Sequence, residues 1–168
     1  MPSRTAKKLR LADYLPYQLS VAANAVSQLI ARTYEDRFGL KIPQWRIVAV
    51  LAEKGALTPQ ALCERTVMDK VTVTRAAQAL LKRRLVTREA VEDDGRSHRV
   101  RLTANGEALY EQIAPLALRY EEELLDSIDA YRVEDLKEQL RRLQSAATVL
   151  RMKDSTSRPS LSRRRRAR

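Results

Sequence analysis

DKVTVTRAAQALL, residues 69–81, is the stretch that decides the fold, because it reads as a helix whose two faces have different partners. Asp69 stands as its N-cap: the carboxylate accepts from the free amides of the first turn and is favoured by the positive end of the helix dipole. At about 100° per residue Val73, Ala76, Ala77 and Leu80 collect on one apolar side, while Val71, Thr72, Arg75, Gln78, Ala79 and Lys82 fall on the other. That second side carries no acid. Its short hydroxyls, amide, guanidinium and valine methyls are the groups that read base edges in a major groove, where Arg pairs with guanine, Gln with adenine and apolar groups meet the thymine methyl. Taken alone, the same residues serve equally well as an ordinary solvated helix face. The flanking sequence decides between the two.

Upstream, Thr58-Pro59 combines a hydroxyl cap with a proline at the first helical position and launches the short helix QALCERT. Residues 66–68 then form a tight turn into the helix already described. Two short helices, a tight turn and a second helix with a groove-type face are the helix-turn-helix arrangement. Before it, Ile42-Pro43 opens QWRIVAVLAEK with proline at its first position; Gly55 closes that helix, and Ile47, Val48 and Leu51 form its buried side. Earlier still, Leu15, Leu19, Ala22, Val26 and Leu29 recur at spacings of four and three, the seam of packed helices, and the pattern runs to about Phe38 before Gly39 stops it. Residues 14–31 contain no charge, yet Pro16, Gln18, Ser20, Asn24, Ser27 and Gln28 are too polar for hydrocarbon. We therefore expect a helix buried on nearly all sides by protein, and no membrane span.

Downstream of Leu85 the period changes to two. Residues 86–90 and 99–102 read as strands joined through Asp93-Asp94-Gly95, whose Asp-Gly pair signals a hairpin, and alternation places Arg99 and Arg101 on one face with Val100 and Leu102 on the other. Thr103 caps a long helix from about residue 104 to 128 with an apolar stripe of Leu109, Ile113, Leu116, Tyr120 and Leu124, bent at Pro115. Val133, Leu136, Leu140, Leu143, Ala147 and Leu150 make a last helix with a second seam.

Composition supports a polyanion partner. The 168 residues carry a formal charge of +11, and the bias lies in the tails: residues 155–168 hold six arginines and no acid, and Arg4, Lys7, Lys8 and Arg10 lie at the other end. The arginine-rich segment has no apolar period and is expected to be disordered when free. One cysteine, Cys63, precludes an internal disulfide and fits a reducing cytoplasm, and the N-terminus lacks the short apolar core of a signal peptide. A single histidine, four glycines, no Cys/His cluster at metal spacing and no phosphate loop leave no catalytic, metal or cofactor site to assign. We expect no enzyme.

PQWRIVAVL, LTPQALCERT, MDKVTVTRAAQALLKRRLVTR, EDDGRSHRVRLT and the following TANG, in that order, closely resemble the MarR-type winged-helix transcriptional regulators. The resemblance implies a mainly α (α+β) fold: a winged helix-turn-helix DNA-binding lobe with a two-stranded wing over residues 42–103, and a helical dimerisation lobe from the N- and C-terminal helices, 11–38 and 104–152. A basic arm, 1–10, and the arginine-rich tail, 155–168, flank them. It also implies a homodimer, double-stranded DNA as partner, and Arg96, following Asp94, as the wing arginine of the minor groove. Arg84 stands where many members have glycine, so a positive φ is expected there.

The candidate DNA contacts are Thr58, Gln60, Lys70, Thr72, Thr74, Arg75, Gln78, Arg96 and Arg99. For an effector the candidates are Tyr17, Ser20, Asn24, Ser27 and Arg46. The stripe Ser20, Asn24, Ser27 has no charge for a turn either way and lines either a cavity or a polar helix contact, and Arg46 is a donor for a carboxylate. Members of the family bind small aromatic acids or their thioesters between the two lobes. His98 reads as packing or a phosphate contact, and Cys63 as a small buried residue. The function expected is a ligand-responsive dimeric repressor on a pseudo-palindromic operator. A sequence-indifferent architectural DNA-binding protein and an interaction module using the helical lobe alone are the alternatives.

Overall fold

The computed structural model describes residues 8–91, 94–126 and 128–156. After a 3-10 turn at Leu11–Asp13 come α1 (Leu15–Phe38), α2 (Ile42–Lys54), α3 (Pro59–Thr66), α4 (Lys70–Lys82), β1 (Val86–Val91), β2 (Asp94–Leu102), α5 (Ala104–Leu125) and α6 (Ala130–Thr156). The chain divides into two compact units, residues 1–120 and 121–168, and α5 crosses the division.

In the first unit the core gathers Ala31, Tyr34 and Leu40 from the end of α1 and the loop after it, Ile47, Val48 and Leu51 from α2, Leu62 from α3, and Val73, Ala76, Ala77 and Leu80 from α4. Leu85, Val86, Val100, Leu102 and Ile113 complete it. The apolar side read from α4 is thus buried in full. Each helix ends as its residues require: Gly39 takes the left-handed conformation at φ 61° and closes α1, and Thr58 Oγ1 accepts from the Ala61 amide at 3.2 Å to open α3. In α2 the residue at the first position is Ile42, with Pro43 second, a place that also needs no donor.

Three expectations change. Only the C-terminal third of α1 reaches the core; Leu15, Val21, Val26 and Leu29 are exposed in the single chain, so this helix is not buried on nearly all sides. Its heptad-like spacing marks an apolar seam, which identifies no occupant. The hairpin differs as well. Asp94 and Gly95 lie inside β2, because Val91 pairs with Asp94 and the register slips between Ala90 and Val91, a bulge that takes up residues 95–97. The long helix α5 ends at Leu125, three residues short of the expected boundary.

Beside the two-stranded sheet, Leu57 in the α2–α3 loop exchanges both backbone bonds with Val100: its N–H donates to the Val100 carbonyl at 2.9 Å and its carbonyl accepts from Val100 at 2.7 Å. At the start of α5, Thr103 Oγ1 accepts from the Gly106 amide at 3.2 Å and donates to the Arg84 carbonyl at 2.7 Å. Gly106 is buried there, and a Cβ on it would stand 2.0 Å from the Leu85 carbonyl oxygen. Arg84 sits at φ 57°, as the sequence led us to expect, and so does Val67, at φ 54°, for which nothing in the sequence gave warning.

In the second unit α6 presents its apolar positions outward: Leu136, Leu140, Leu143 and Leu150 are exposed, and Val133 is buried. Among the described residues no helix is long and apolar enough to cross a membrane.

Candidate nucleic-acid interface

The site is the outer face of α4 together with its cap. Asp69 Oδ1 accepts from the Thr72 amide at 2.8 Å, and Thr72 Oγ1 donates to Asp69 Oδ2 at 2.6 Å. The Thr72 hydroxyl, and after it the Thr72 amide, hold the Asp69 carboxyl below its usual range. The cap's negative charge is therefore turned onto the helix end and satisfied there. Thr74 spends its hydroxyl proton on the Lys70 carbonyl at 2.7 Å. Both threonines thus keep a methyl and an acceptor for an outside partner but no free donor, which narrows what the sequence alone allowed them.

Val71, Arg75 and Gln78 are exposed, Val71 by 58 %, and they share the side of α4 opposite Val73, Ala76, Ala77 and Leu80, while Lys70 is exposed at the start of the helix, toward the cleft with Val73 and Thr74. An amide, a cationic fork and an apolar knob therefore stand together on the outer face. The turn before α4 is held by Met68, whose amide donates to the Cys63 carbonyl at 3.2 Å, and by Val67 in its left-handed conformation with 76 % of its surface exposed. Of the residues expected from α3, Thr58 is half-buried and occupied with capping, and Gln60 is exposed with its amide on Glu64 Oε1 at 3.1 Å.

On the sheet, Arg99 is exposed, and Arg101 on the same face is tied to Glu89 at 2.8 Å. His98 is half-buried opposite Ala90. The backbone of Arg96 belongs to β2, and its side chain lies outside the described residues, as do most of the basic arm and most of the arginine-rich tail. Cys63 is half-buried.

The proposed effector residues are not brought together in one chain. Tyr17, Ser20 and Asn24 are exposed and Ser27 half-buried on α1, while Arg46 is exposed beside Trp45. Trp45 lies in an aromatic ladder with Tyr34, ring centres 5.8 Å apart, and Tyr110, 5.9 Å apart and nearly parallel. Ser20 is about 21 Å along α1 from Tyr34 at 1.5 Å per residue, and Ser27 about 10 Å, so the Ser20 end of the stripe lies well away from the Tyr34–Trp45 contact beside Arg46. Burial, then the neighbouring Glu35, pushes the Tyr34 phenol up to about 12, against the opposing charge of Arg46. Two surface clefts lie elsewhere, one including Gly55, Arg101, Glu107, Tyr110 and Glu111, the other Gln60, Cys63, Met68, Val73 and Thr74. Among the described residues no group of His, Cys, Asp or Glu is arranged to hold a metal ion.

A helix-turn-helix followed by a two-stranded wing is a winged-helix DNA-binding module. The family model described as "MarR family" matches residues 38–97. The HTH-type transcriptional regulator FarR of Neisseria gonorrhoeae is 34% identical over 106 residues, spanning 61% of this chain and 73% of that protein. Among solved structures, a MarR/EmrR family regulator from Acinetobacter sp. ADP1 superimposes with a TM-score of 0.77 at 23% identity, covering 83% of this chain and 99% of that one, a likeness of fold. NadR, solved in complex with 4-hydroxyphenylacetate, gives a TM-score of 0.69 at 27% identity over 85% of this chain and 97% of its own. The chain belongs to the MarR family of DNA-binding transcriptional regulators. The relatives it matches are transcriptional regulators.

Proposed function

We propose that the protein is a cytoplasmic homodimeric repressor whose two copies of α4 enter successive major grooves of a pseudo-palindromic operator, and which an anionic aromatic ligand releases. The observation that carries this is the acid-free outer face of α4, where Val71, Arg75 and Gln78 are exposed, with Lys70 exposed at the helix start, while the capping carboxylate, Asp69, is turned back onto the helix end. Arg75 supplies a bidentate donor for guanine, Gln78 a donor and acceptor for adenine, and Lys70 a phosphate contact. Arg96 and Arg99 of the wing are assigned to the minor groove and the backbone, and Thr58, Gln60, Thr72 and Thr74 to the edges of the contact.

Dimerisation is supported by the unpartnered seams: Val21, Val26 and Leu29 of α1 and Leu136, Leu140 and Leu143 of α6 expose apolar surface of a kind that monomers rarely show in rows. For the effector, NadR binds a phenolic carboxylate. In this chain Arg46 beside Trp45 offers the matching donor. The distance from Arg46 to the Ser20–Asn24 part of the stripe, with Tyr17 beyond it, makes the second copy the source of those residues in a shared pocket; Ser27 lies nearer.

Footprinting of the upstream intergenic region tests the first part: two protected half-sites about 10 base pairs apart are expected, with specific binding at least about 10³-fold tighter than non-specific. A ratio near one with steep salt dependence would replace the repressor by an architectural protein. Arg75→Ala should cost about 1–3 kcal/mol of specific binding and relax one base position. A panel of aromatic acids and aryl thioesters tests the second part, with an active compound weakening the operator complex roughly 5- to 150-fold. If no compound acts, or if Asn24→Ala and Arg46→Ala leave its affinity unchanged, the pocket assignment fails.

A further inference from the structure

The last turn of an α-helix leaves carbonyls without partners, at the negative end of its dipole. At the end of α1 two of them are taken by a residue 44 positions further on. Arg83, the C-cap of α4, donates Nη1 to the Gly39 carbonyl at 2.9 Å and Nη2 to the Phe38 carbonyl at 2.8 Å. A guanidinium is the side chain that holds two acceptors in one fixed plane, whereas a lysine ammonium in its place would act as a point charge.

The receiving end is itself anchored to the core. Gly39 donates to the Glu35 carbonyl at 2.9 Å and Leu40 to the Tyr34 carbonyl at 3.2 Å, and both Tyr34 and Leu40 lie in the core. At the giving end the Arg83 amide donates to the Ala79 carbonyl at 3.2 Å, so the fork belongs to the helix that carries Arg75 and Gln78. Burial of Leu80, with Val73, Ala76 and Ala77, in the core it shares with α2 holds α4 by packing, an attraction that is not itself directional. The Arg83 fork adds direction, and it does so against α1, the helix whose exposed seam is assigned to the dimer.

We propose that Arg83 is a positioning residue for DNA recognition: by clamping the end of α4 to the end of α1 it holds the two recognition helices of the dimer at the separation at which both half-sites are engaged together. The inference rests on the two-fold DNA-binding function proposed above.

The test compares the full operator with an operator in which one half-site is scrambled, measuring affinity and its salt dependence for the wild type, Arg83→Gln and Arg83→Lys, with thermal unfolding of each as a check on folding. The expected result is that both variants lose at least about 5-fold of the advantage of two half-sites over one, while affinity for the single half-site, base preference and the salt slope stay as in the wild type. Lysine fails with glutamine because the charge alone does not make the fork. Equal losses on both DNAs would overturn the proposal in favour of plain stability. A salt slope shallower by about 0.9 in Arg83→Gln, with lysine behaving as wild type, would overturn it in favour of a phosphate contact. Unchanged binding in both variants would overturn it outright. A wild type with no two-half-site advantage would instead sink the dimeric reading, and this inference with it.

Discussion

Replacing Gly106 by alanine should destabilise the protein, although helix propensity argues the other way. At an unstrained helical site Gly→Ala stabilises by about 0.4–1 kcal/mol, chiefly by restricting the unfolded chain. Here the added Cβ would stand 2.0 Å from the Leu85 carbonyl oxygen and 3.1 Å from both Leu85 C and Leu102 Cδ2. To reach ordinary contact the first turn of α5 must retreat by about 1.4 Å. Leu85 is not free to yield, since its amide donates to the Leu80 carbonyl at 3.0 Å and its side chain is in the core. The retreat stretches the bond from the Thr103 amide to the Leu85 carbonyl, 3.1 Å, and the one from Thr103 Oγ1 to the Arg84 carbonyl, 2.7 Å. Overpacking costs typically about 1–3 kcal/mol and each hydrogen bond about 1, so a net loss of about 3 kcal/mol is expected. For a chain of this size that is a fall of roughly 6–12 °C in melting temperature. Circular dichroism at a fixed protein concentration reads it, with Asn105→Ala, at an exposed neighbour, as the control. A melting temperature unchanged or raised in Gly106→Ala would refute the close approach.

Val67→Gly should act in the opposite sense and raise stability by about 1 kcal/mol, because the native φ of 54° strains a β-branched residue and suits glycine; a loss would mean that the exposed isopropyl group makes a contact worth more than the strain. Asp69→Ala removes the cap from the amide of Thr72 and should lower the midpoint of chemical denaturation, with operator affinity falling as the first turn of α4 frays. The Tyr34 phenol is held near 12 in the folded protein against 10 for a free side chain. Between those values the unfolded chain has given up a proton that the folded chain keeps, so stability is expected to fall as pH rises from about 10 to about 12, and Tyr34→Phe should flatten that decline.

Features governed by local chemistry were legible in the sequence. The caps at Thr58 and Asp69, the αL ending at Gly39 and the buried side of α4 each follow from a few neighbouring residues, while the positive φ at Arg84 was expected only through the family resemblance. What escaped depends on distant partners. Nothing near Gly106 announces the Leu85 carbonyl above it, and Arg83 looks like one more cation in KRR until the end of α1 arrives beside it. The hairpin was misplaced because Asp-Gly reads as a tight turn, and only the cross-strand register, with Val91 opposite Asp94, shows the pair inside β2. Val67 went unnoticed because a valine carries no signal for left-handed backbone; the turn between two packed helices imposes it. For the effector residues, periodicity identified a polar stripe on α1, but how far its Ser20 end runs from the Tyr34–Trp45 contact is a matter of helix length and not of pattern.

The bridge between Leu57 and Val100 gives the wing a mechanical character that its two strands alone would lack. Both polar backbone groups of Val100 are taken from the side away from β1, so β2 is grasped from outside at one point near its base, and beyond it the strand is held by its pairing with β1, Glu89 with Arg99, Ala90 with His98 and Val91 with Asp94. Along β1, the three residues from Arg88, opposite Val100, to Val91 make an arm of about 10 Å at about 3.3 Å per residue. A swing of about 10° around the bridge would carry its far end about 1.7 Å, more than a quarter of the roughly 6 Å width of a B-form minor groove. The loop after α2 is in this sense a fulcrum, and a substitution at Leu57, which packs against the core, would be felt at the wing as a change in reach.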